Sequence, residues 1–370
     1  TAPAGYKCLC TQNLPNLFAD DEDRVNDPSQ YFNIALWNGL DIDGMPIPNW
    51  KFKPGFLWMK SRNTAISNIL QDQFRWVGKS LDSDNTDAEN TGTSYVESFE
   101  SDGFKLEGSG GGNTSGRTYI GWGWYAGASA ATASTAGTIT PSAQWVSTEA
   151  GFSITKFEGT QAAATVGHGL GVKPDFLMFK TLEDSGYWVV WHKNIATNKF
   201  MKLNTADSLI TSGDVLNNTA PTNSVFSVGD SAQTNKDGED MICYAWASKP
   251  GFSAFGRYTG NTATEFIAQY PFIYTGFRPR WIMYKCDSAA KGWYIHDTTR
   301  DPANIESDTT DDRYLKPNEA GTEGENIGGN IYLLSNGFIM GTNNADQNTS
   351  NQTFIWAAFA EHPFKTARGR

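Results

Sequence analysis

The sequence predicts an all-β protein of three homologous β-sandwich or jelly-roll units, each of about 100 residues. Residues 53–60, 173–180 and 278–285 repeat one pattern: a basic residue, proline, any residue, four large apolar residues and lysine. About six short apolar segments separated by turn residues fall in each unit, as sandwiches require. The three units fit either an arrangement around a pseudo-threefold axis or three sandwiches in a row.

The repeated pattern has the features of a buried strand. Proline lacks an N–H group, so it suits the start of a strand and not its middle. A short apolar run closed by lysine fits a strand covered on both faces. Asn113, Asn235 and Asn348 each stand six positions before an apolar segment that begins at 119, 241 or 354. This constant spacing strengthens the prediction of three homologous units.

The unit boundaries follow from these repeats. The predicted segments are a leader (1–30), unit 1 (31–126), a linker rich in Ala, Gly, Ser and Thr (127–150), unit 2 (151–248) and unit 3 with a basic tail (249–370). Ile139, Trp145 and Val146 are able to pack, so we expect part of the linker to be ordered.

Further strands are expected after the repeated segments. In unit 1 we predict a strand pair around residues 74–76 and 79–81. Unit 2 has corresponding apolar segments at 188–192 and 200–204, and unit 3 has one at 293–297. Short apolar segments bounded by turn residues are typical of strands.

The charge balance argues against several function classes. The chain has 29 basic and 40 acidic residues, for a net charge of −11. Such a surface repels phosphate backbones, so we expect no nucleic acid partner. The sequence has no apolar run of 18 residues and no charged-then-apolar pattern at Thr1. We therefore expect no membrane insertion and no signal peptide.

The four cysteines are predicted to be free thiols. Cys8 and Cys10 lie two positions apart, a spacing that rarely closes a disulfide, and Cys243 and Cys286 lie in apolar runs. A tetrahedral zinc site needs clustered pairs of ligands that this spacing does not offer.

The densest acidic loop is the one candidate for a metal. Asp82, Asp84 and Asp87 stand at positions from which oxygen ligands can wrap Ca²⁺. The glycine of a calcium loop is missing, because Asp87 holds its place. We expect a solvated loop and no cofactor, with calcium at these three residues as the alternative.

No catalytic motif is visible. The sequence shows neither a Ser–His–Asp order nor H-E-x-x-H. The carboxylates of residues 237–240 could resemble a glycosidase pair, but they occupy a predicted turn. We therefore expect that the protein is not an enzyme.

Aromatic side chains are the more credible binding groups. Trp and Tyr rings stack on sugar rings, and Asn and Asp supply hydrogen bonds to hydroxyls. The candidate ligand-binding residues adjoin the loops after the central strands; they are Trp76, Trp191, His192, Trp293 and His296. Packing in the core is the alternative for each of them.

With these repeats in view, the chain resembles a C-terminal region of bacteriophage tail-fibre and virion-surface proteins. The resemblance rests on residues 5–15, 102–104, 258–261 and 358–364. This region is an uncharacterised repeat domain common in marine phages, with lectin-like β-sandwich relatives. Its motifs carry no known chemistry, so no functional residue is transferred.

The resemblance implies a virion protein that is outside the cell after host lysis. Its expected partners are other virion proteins and a host surface glycan or protein. Fibres are commonly trimers, so a homotrimer is one expectation, although three internal copies would replace that symmetry. In relatives the leader often follows another domain, which implies a longer parent chain.

Three functions remain open at this stage. The first is a tail-fibre module that attaches to a host receptor, and it predicts an exposed aromatic groove. The second is a structural decoration protein of the capsid or tail, and it predicts flat interfaces and buried tryptophans. The third is a polysaccharide depolymerase, and it predicts paired carboxylates in a cleft.

Overall fold

The computed structural model describes residues 23–75, 78–92, 95–108, 110–263, 269–301, 313–325, 331–341 and 345–361. Antiparallel strands dominate this part of the chain. Its helical segments are a 3₁₀ turn (Pro28–Gln30), α1 (Ala232–Asn235) and α2 (Ala345–Asn348). The all-β prediction is confirmed. The helices of the described residues are short, and none has the length and hydrophobicity of a membrane span.

Unit 1 is a sandwich of two sheets. Its strands are β1 (Phe32–Asn38), β2 (Met45–Ile47), β3 (Phe56–Ser61), β4 (Ile69–Asp72), β5 (Lys79–Asp82), β6 (Asn90–Thr91), β7 (Val96–Glu100), β8 (Gly103–Leu106) and β9 (Thr118–Trp124). The large sheet has the order β1-β9-β3-β4-β5-β6, and the small sheet has the order β2-β8-β7.

Unit 2 has the same large-sheet order with one more strand at the edge, and its small sheet has two strands where that of unit 1 has three. Its strands are β10 (Ala143–Ser147), β11 (Phe152–Glu158), β12 (Ala164–Gly167), β13 (Phe176–Thr181), β14 (Val189–His192), β15 (Lys199–Lys202), β16 (Ile210–Thr211), β17 (Val225–Val228) and β18 (Asp240–Trp246). The large sheet has the order β10-β11-β18-β13-β14-β15-β16, and β12 pairs with β17.

Unit 3 consists of three sheets, of four, three and two strands. Its strands are β19 (Ser253–Thr259), β20 (Phe272–Tyr274), β21 (Pro279–Cys286), β22 (Trp293–Asp297), β23 (Arg313–Tyr314), β24 (Gly324–Glu325), β25 (Ile331–Leu334), β26 (Gly337–Met340) and β27 (Thr353–Ala360). The sheets have the orders β19-β27-β21-β22, β20-β26-β25 and β23-β24.

One strand order recurs in the three large sheets: β1-β9-β3-β4, β11-β18-β13-β14 and β19-β27-β21-β22. The repeated sequence pattern forms the third strand in each case. The pairs Phe56–Trp124, Phe176–Trp246 and Trp281–Phe359 stand opposite each other in the same register. Positions in the three units can therefore be matched one to one, and we call matched positions equivalent. Descent of the three units from one ancestor stays a prediction.

Each repeated strand packs on both faces, because successive side chains point to opposite sides of a sheet. In β3, Leu57 and Met59 face the core between the two sheets of unit 1. Phe56 and Trp58 face the other way, into a core that all three units share. The continuous apolar run in the sequence is explained by these two cores.

The shared core lies where the three large sheets meet. Its rings touch across every unit boundary: centroids are 4.7 Å apart for Phe56 and Tyr244, 5.9 Å for Phe176 and Phe255, and 5.4 Å for Phe32 and Phe359. The centre retains a void of about 10 Å³, and residues of all three units line it, among them Phe56, Phe176 and Trp281. The three units therefore form one packed body.

Two sequence expectations are refined by the fold. The strand expected around residues 74–76 is instead β4, Ile69–Asp72, because the Asp72 carboxylate accepts a bond from the Arg75 backbone N–H and starts a turn there. The segment 127–150 is partly a component of the second sheet, since it contains β10. Cys243 and Cys286 are free and buried, as predicted; Cys8 and Cys10 lie outside the described residues.

Candidate functional site

The predicted ligand-binding side chains are buried. Trp191, His192, Trp293 and His296 are at most 4% exposed, and Trp76 lies outside the described residues. The expectation of exposed rings is therefore corrected for these four. They lie on β14 and β22, next to the central strands, where both faces of the sheet are covered.

Two of these residues, His192 and Trp293, form hydrogen bonds between neighbouring units. The Nε2 atom of His192 lies 3.2 Å from the backbone oxygen of Trp356 in unit 3. The Trp293 indole donates a 2.9 Å hydrogen bond to the backbone oxygen of Lys202 in unit 2. The structure thus shows contacts between units at positions predicted to contact a ligand.

The position of His192 has equivalents in the other units, Asp72 and Asp297, which pair in the same register with the third strand. Asp72 accepts a 2.7 Å hydrogen bond from the Tyr244 hydroxyl of unit 2. Asp297 accepts a 3.2 Å bond from the Trp122 indole of unit 1. Unit 1 thus bonds to unit 2, unit 2 to unit 3 and unit 3 to unit 1, so the three contacts form a closed ring.

The two aspartates are buried with arginine partners. Arg75 Nε lies 2.7 Å from Asp72, and Arg300 Nε lies 2.6 Å from Asp297. Each arginine also donates to a backbone oxygen, of Leu70 or Ile295. Removing a charged group from water is costly unless its partner and its hydrogen bonds are in place, and here both are present.

Unit 2 uses a neutral group at this position. The His192 Nδ1 atom accepts a bond from the Asn194 N–H, so Nε2 carries the proton that is donated to Trp356. Burial lowers the pKa of His192 to about 3. The neutral imidazole donates its N–H to the backbone oxygen of Trp356. An aspartate at this position would instead place a carboxylate oxygen against that backbone oxygen, and both atoms are hydrogen-bond acceptors.

A second closed ring of contacts runs along the same boundaries. At three equivalent positions a side-chain N–H donates to a backbone oxygen of the neighbouring unit: Asn68 to Lys316 (3.2 Å), Trp188 to Asp82 (2.8 Å) and Trp293 to Lys202 (2.9 Å). Each such bond satisfies a polar group at the end of a buried strand.

Backbone bonds form a third ring. The N–H groups of Glu89, Leu209 and Glu323 donate to the backbone oxygens of Leu182, Asp287 and Arg62 respectively. At the last of these boundaries an ion pair is added, because Arg62 binds both oxygens of Glu323 at 2.8 and 2.9 Å. Burial alone would raise the pKa of Glu323, but Arg62, Arg300 and Arg313 outweigh it and lower that pKa.

The turn asparagines predicted from sequence hold a loop in each unit. Asn235 is fully buried; its side-chain oxygen accepts from the Thr160 N–H, and its amide donates to Ala162 and Gly229. Asn113 makes the equivalent bonds to Leu40, Ile42 and Glu107. Asn348 accepts from the Asn261 N–H in unit 3.

These loops carry two local constraints at equivalent positions. Gly39, Gly159 and Gly260 have no room for a Cβ atom, which would lie 2.0–2.3 Å from a backbone oxygen. The residues two positions on adopt positive φ although none is glycine: Asp41 (54°), Gln161 (46°) and Thr262 (57°). The buried asparagine stabilises this strained backbone.

The lysines that close the repeated pattern are buried. Lys60, Lys180 and Lys285 have no exposed surface, and burial lowers the pKa of each to about 8. Lys60 donates to a backbone oxygen of unit 3, at Ala320, and Lys180 to one of unit 1, at Thr86. These two side chains therefore add to the contacts between units.

The acidic loop is engaged in protein hydrogen bonds. Asp84 accepts from the Asn68 N–H at 2.7 Å, and Asp82 accepts from the Asn85 and Asn90 side chains. Burial raises the pKa of Asp82. No cluster of three or more His, Cys, Asp or Glu side chains suited to a metal occurs in the described residues. Calcium at Asp82, Asp84 and Asp87 stays a prediction.

Unit 1 has a groove on its surface. It has a volume of about 460 Å³ and lies between β1 and β2. Leu36 on its rim is 40% exposed, and Trp50 in its wall is buried with its indole N–H unpartnered in the described part of the chain. Among the described residues of unit 3, the exposed aromatic side chains are Phe272 and Tyr274 on β20, at 49% and 68%.

Sequence reasoning missed the aspartate–arginine pairs, but the sequence contains a signal for them. Asp72 and Asp297 are each followed by arginine three positions on, at equivalent places after the repeated pattern. Because unit 2 has isoleucine at the matching position, Ile195, the signal occurs in only two of the three units.

Comparisons with known proteins show a family and no function. No curated protein matches the chain, and no solved structure matches it. One family matches residues 27–363, that is 337 of the 370 residues, and its description is Domain of unknown function (DUF7483). Since this match spans most of the sequence and all three units, the chain belongs to the DUF7483 family.

Proposed function

We propose that the protein is a non-catalytic structural component of a bacteriophage particle, a rigid block that assembles with other virion proteins. The observation that carries the proposal is the shared core, closed by rings of hydrogen bonds between the three units. Such a body holds its surfaces in fixed relative positions, which is what a decoration or tail component requires.

The tryptophans support the same proposal. Of the twelve tryptophans within the described residues, eleven are buried and Trp145 is partly buried. Burial of these rings is the expectation of the structural hypothesis, whereas a receptor groove would need some of them at the surface. The carboxylates inside the units, Asp72 and Asp297, are held by arginines, which favours a role in stability over acid–base chemistry.

The test is to delete the gene from a phage that encodes the protein and to examine the particles. We expect the protein in purified wild-type virions at a fixed copy number per particle, by quantitative mass spectrometry. Particles without it should be fewer or less heat-stable, while those that assemble adsorb normally. Absence of the protein from wild-type particles would refute the proposal.

Attachment to a host receptor is the second candidate, and one observation favours it. Phe272 and Tyr274 are exposed on one face of β20, two positions apart, so both rings point to the same side of the strand. Exposed aromatic rings of this kind stack on sugars. Under this candidate the recognition surface is formed by the exposed rings of β20, and not by the buried tryptophans.

A binding assay separates the two candidates. The labelled protein is incubated with host cells, with and without competing phage. Attachment predicts saturable binding that blocks phage adsorption, and loss of that binding in a Phe272→Ser, Tyr274→Ser double variant. A matched control is Tyr187→Ser, which removes an exposed ring from unit 2. Stable particles that fail to adsorb after gene deletion would favour attachment over the structural role.

A further inference from the structure

We infer that the outer edge of β1 is a docking site for an extended strand of another protein, which adds to the large sheet of unit 1. The argument begins with the chain itself. In unit 2 the equivalent strand, β11, is covered by β10, which pairs with it over five residues. In the described residues no strand takes this place beside β1.

The free edge presents backbone groups in the right positions. At the two ends of the β1–β9 pairing, the Tyr125 N–H donates to the Tyr31 oxygen and the Gly39 N–H donates to the Arg117 oxygen. The N–H and C=O groups of the odd-numbered residues of β1 therefore point toward β9. The N–H and C=O groups of Phe32, Ile34, Leu36 and Asn38 therefore point away from it. In β11, backbone bonds at Gly151 and Gly159 place the odd-numbered groups toward β18, so the N–H and C=O groups of the even-numbered residues point toward β10.

The edge also lacks the devices that usually prevent strand addition. Charged side chains, prolines and bulges protect exposed edges. The strand β1, with the sequence FNIALWN, has no charged residue and no proline. Its counterpart β19 carries Arg257, and β2 across the groove carries Pro46 and is followed by Pro48. Among these edges, β1 is the one suited to pairing.

The groove beside β1 defines the chemistry of the occupant. The groove has a volume of about 460 Å³, and Leu36 leaves apolar surface on its rim. In unit 2 the covering strand has the sequence AQWVS, and its Trp145 stands opposite Ile154, the equivalent of Ile34. We therefore specify a short, uncharged, extended segment with one large apolar residue facing Ile34.

We assign the segment to a different protein. Among the described residues of this chain, the segment with the required chemistry is β10, which is already paired with β11 and bridged on its other side by Ala131. A second copy would have to release that strand to supply it. The inference does not depend on the proposed function, since a free edge of this kind would capture a strand in any setting.

The probe is a fluorescein-labelled peptide of residues 140–149, TPSAQWVSTE, titrated with the full chain and followed by fluorescence anisotropy. We expect saturable binding. An N-methyl group on the peptide nitrogen of Trp145 should weaken binding at least tenfold, because this N–H faces the edge. An N-methyl group on Gln144, whose N–H faces away, should change the affinity less than threefold.

Variants of the protein locate the site. Leu36→Pro removes one outward N–H without touching the β9 ladder, and Leu36→Lys places a charge on the edge. Each should weaken binding at least tenfold. The control Ile42→Lys makes the same charge change at an exposed residue outside β1, and it should leave binding unchanged. Thermal melts are compared so that a folding defect is recognised.

Three results would overturn the inference. The first is no saturable binding of the unmodified peptide. The second is equal binding by the Leu36 variants and the Ile42→Lys control, which would place the peptide elsewhere, for instance on β11 after exchange with β10. The third is a mass that doubles with concentration in the absence of peptide, since the edge would then pair with a second copy.

Discussion

The Tyr244 hydroxyl donates a 2.7 Å hydrogen bond to the carboxylate of Asp72 across the boundary between units 1 and 2. The same carboxylate oxygen binds Arg75 Nε at 2.7 Å. Both residues of this ion pair are buried. The Tyr244 hydrogen bond therefore joins two units and also takes the place of a water molecule at the buried carboxylate. The stability of each unit therefore depends on its neighbour.

Replacing Asp72 by asparagine should be strongly destabilising. The change keeps the shape of the side chain but leaves the buried Arg75 without its closest counter-charge, with an expected loss of about 3–5 kcal/mol in the free energy of unfolding. Urea denaturation followed by tryptophan fluorescence measures it. The control Asp207→Asn removes an exposed partner of Lys202 and should cost less than about 1 kcal/mol. Equal losses in both variants would contradict the role given to burial.

Replacing Asn235 by aspartate should destabilise the protein, because the amide N–H₂ group at this position is needed as a donor. The new oxygen would face the backbone oxygens of Ala162 and Gly229, which now accept hydrogen bonds, and we expect a loss of about 2–4 kcal/mol. The midpoint of urea denaturation reports it. The exposed Asn198 offers a control, since Asn198→Asp should have little effect. Tolerance of the aspartate would mean that the loop does not depend on these bonds.

Replacing Gln161 by glycine should stabilise the protein. Gln161 is exposed and has a φ of 46°, which glycine adopts without the penalty of about 1–2 kcal/mol that other residues bear. After the entropy cost of glycine, a gain of about 0.5–1 kcal/mol is expected. Gln161→Ala keeps the strained φ and should give no gain. If alanine stabilises as much as glycine, the backbone strain is not the cause.

His192 should make the protein sensitive to acid. Its pKa is about 3 in the folded state and 6.5 in its ordinary state, so below pH 6.5 the unfolded chain binds a proton that the folded chain does not. Stability due to this histidine is therefore lost as the pH falls from 6.5 to 3, by up to about 1.4 kcal/mol per pH unit.

The measurement compares the wild type with His192→Gln, which keeps an N–H donor for the Trp356 oxygen. The wild type should lose stability relative to the variant as the pH falls from 6.5 to 3, and the difference should be constant between pH 7 and 9. His168, whose pKa is also lowered by burial, is present in both proteins and cancels. Parallel curves below pH 6.5 would show that His192 is not the titrating group.

The fold was predictable from the sequence because its signals are local. Proline at the start of a strand, apolar runs and the spacing from Asn113, Asn235 and Asn348 are each set by short-range geometry. Which core an apolar residue enters is not local. Phe56 and Leu57 are adjacent and equally apolar, yet one lies between three units and the other within one unit.

The candidate site was harder to predict for the same reason. A tryptophan beside a loop is suited both to a sugar ring and to a core, and only the packing of a distant segment decides between them. The buried Trp293 indole donates its N–H to the backbone oxygen of Lys202, 91 positions away. The free edge of β1 was also hidden from the sequence, because an edge is a property of strand order.

The closed rings of contacts fix how many units this architecture can hold. In a linear array each repeat touches only its neighbours, so repeats can be gained or lost during evolution. Here Phe56, Phe176 and Trp281 meet at one centre, and each unit contacts both of the others. A duplicated fourth unit would find no place in the ring, and a deletion would open the core to water. Length variation in this family should therefore fall in loops and termini, and not in the number of units.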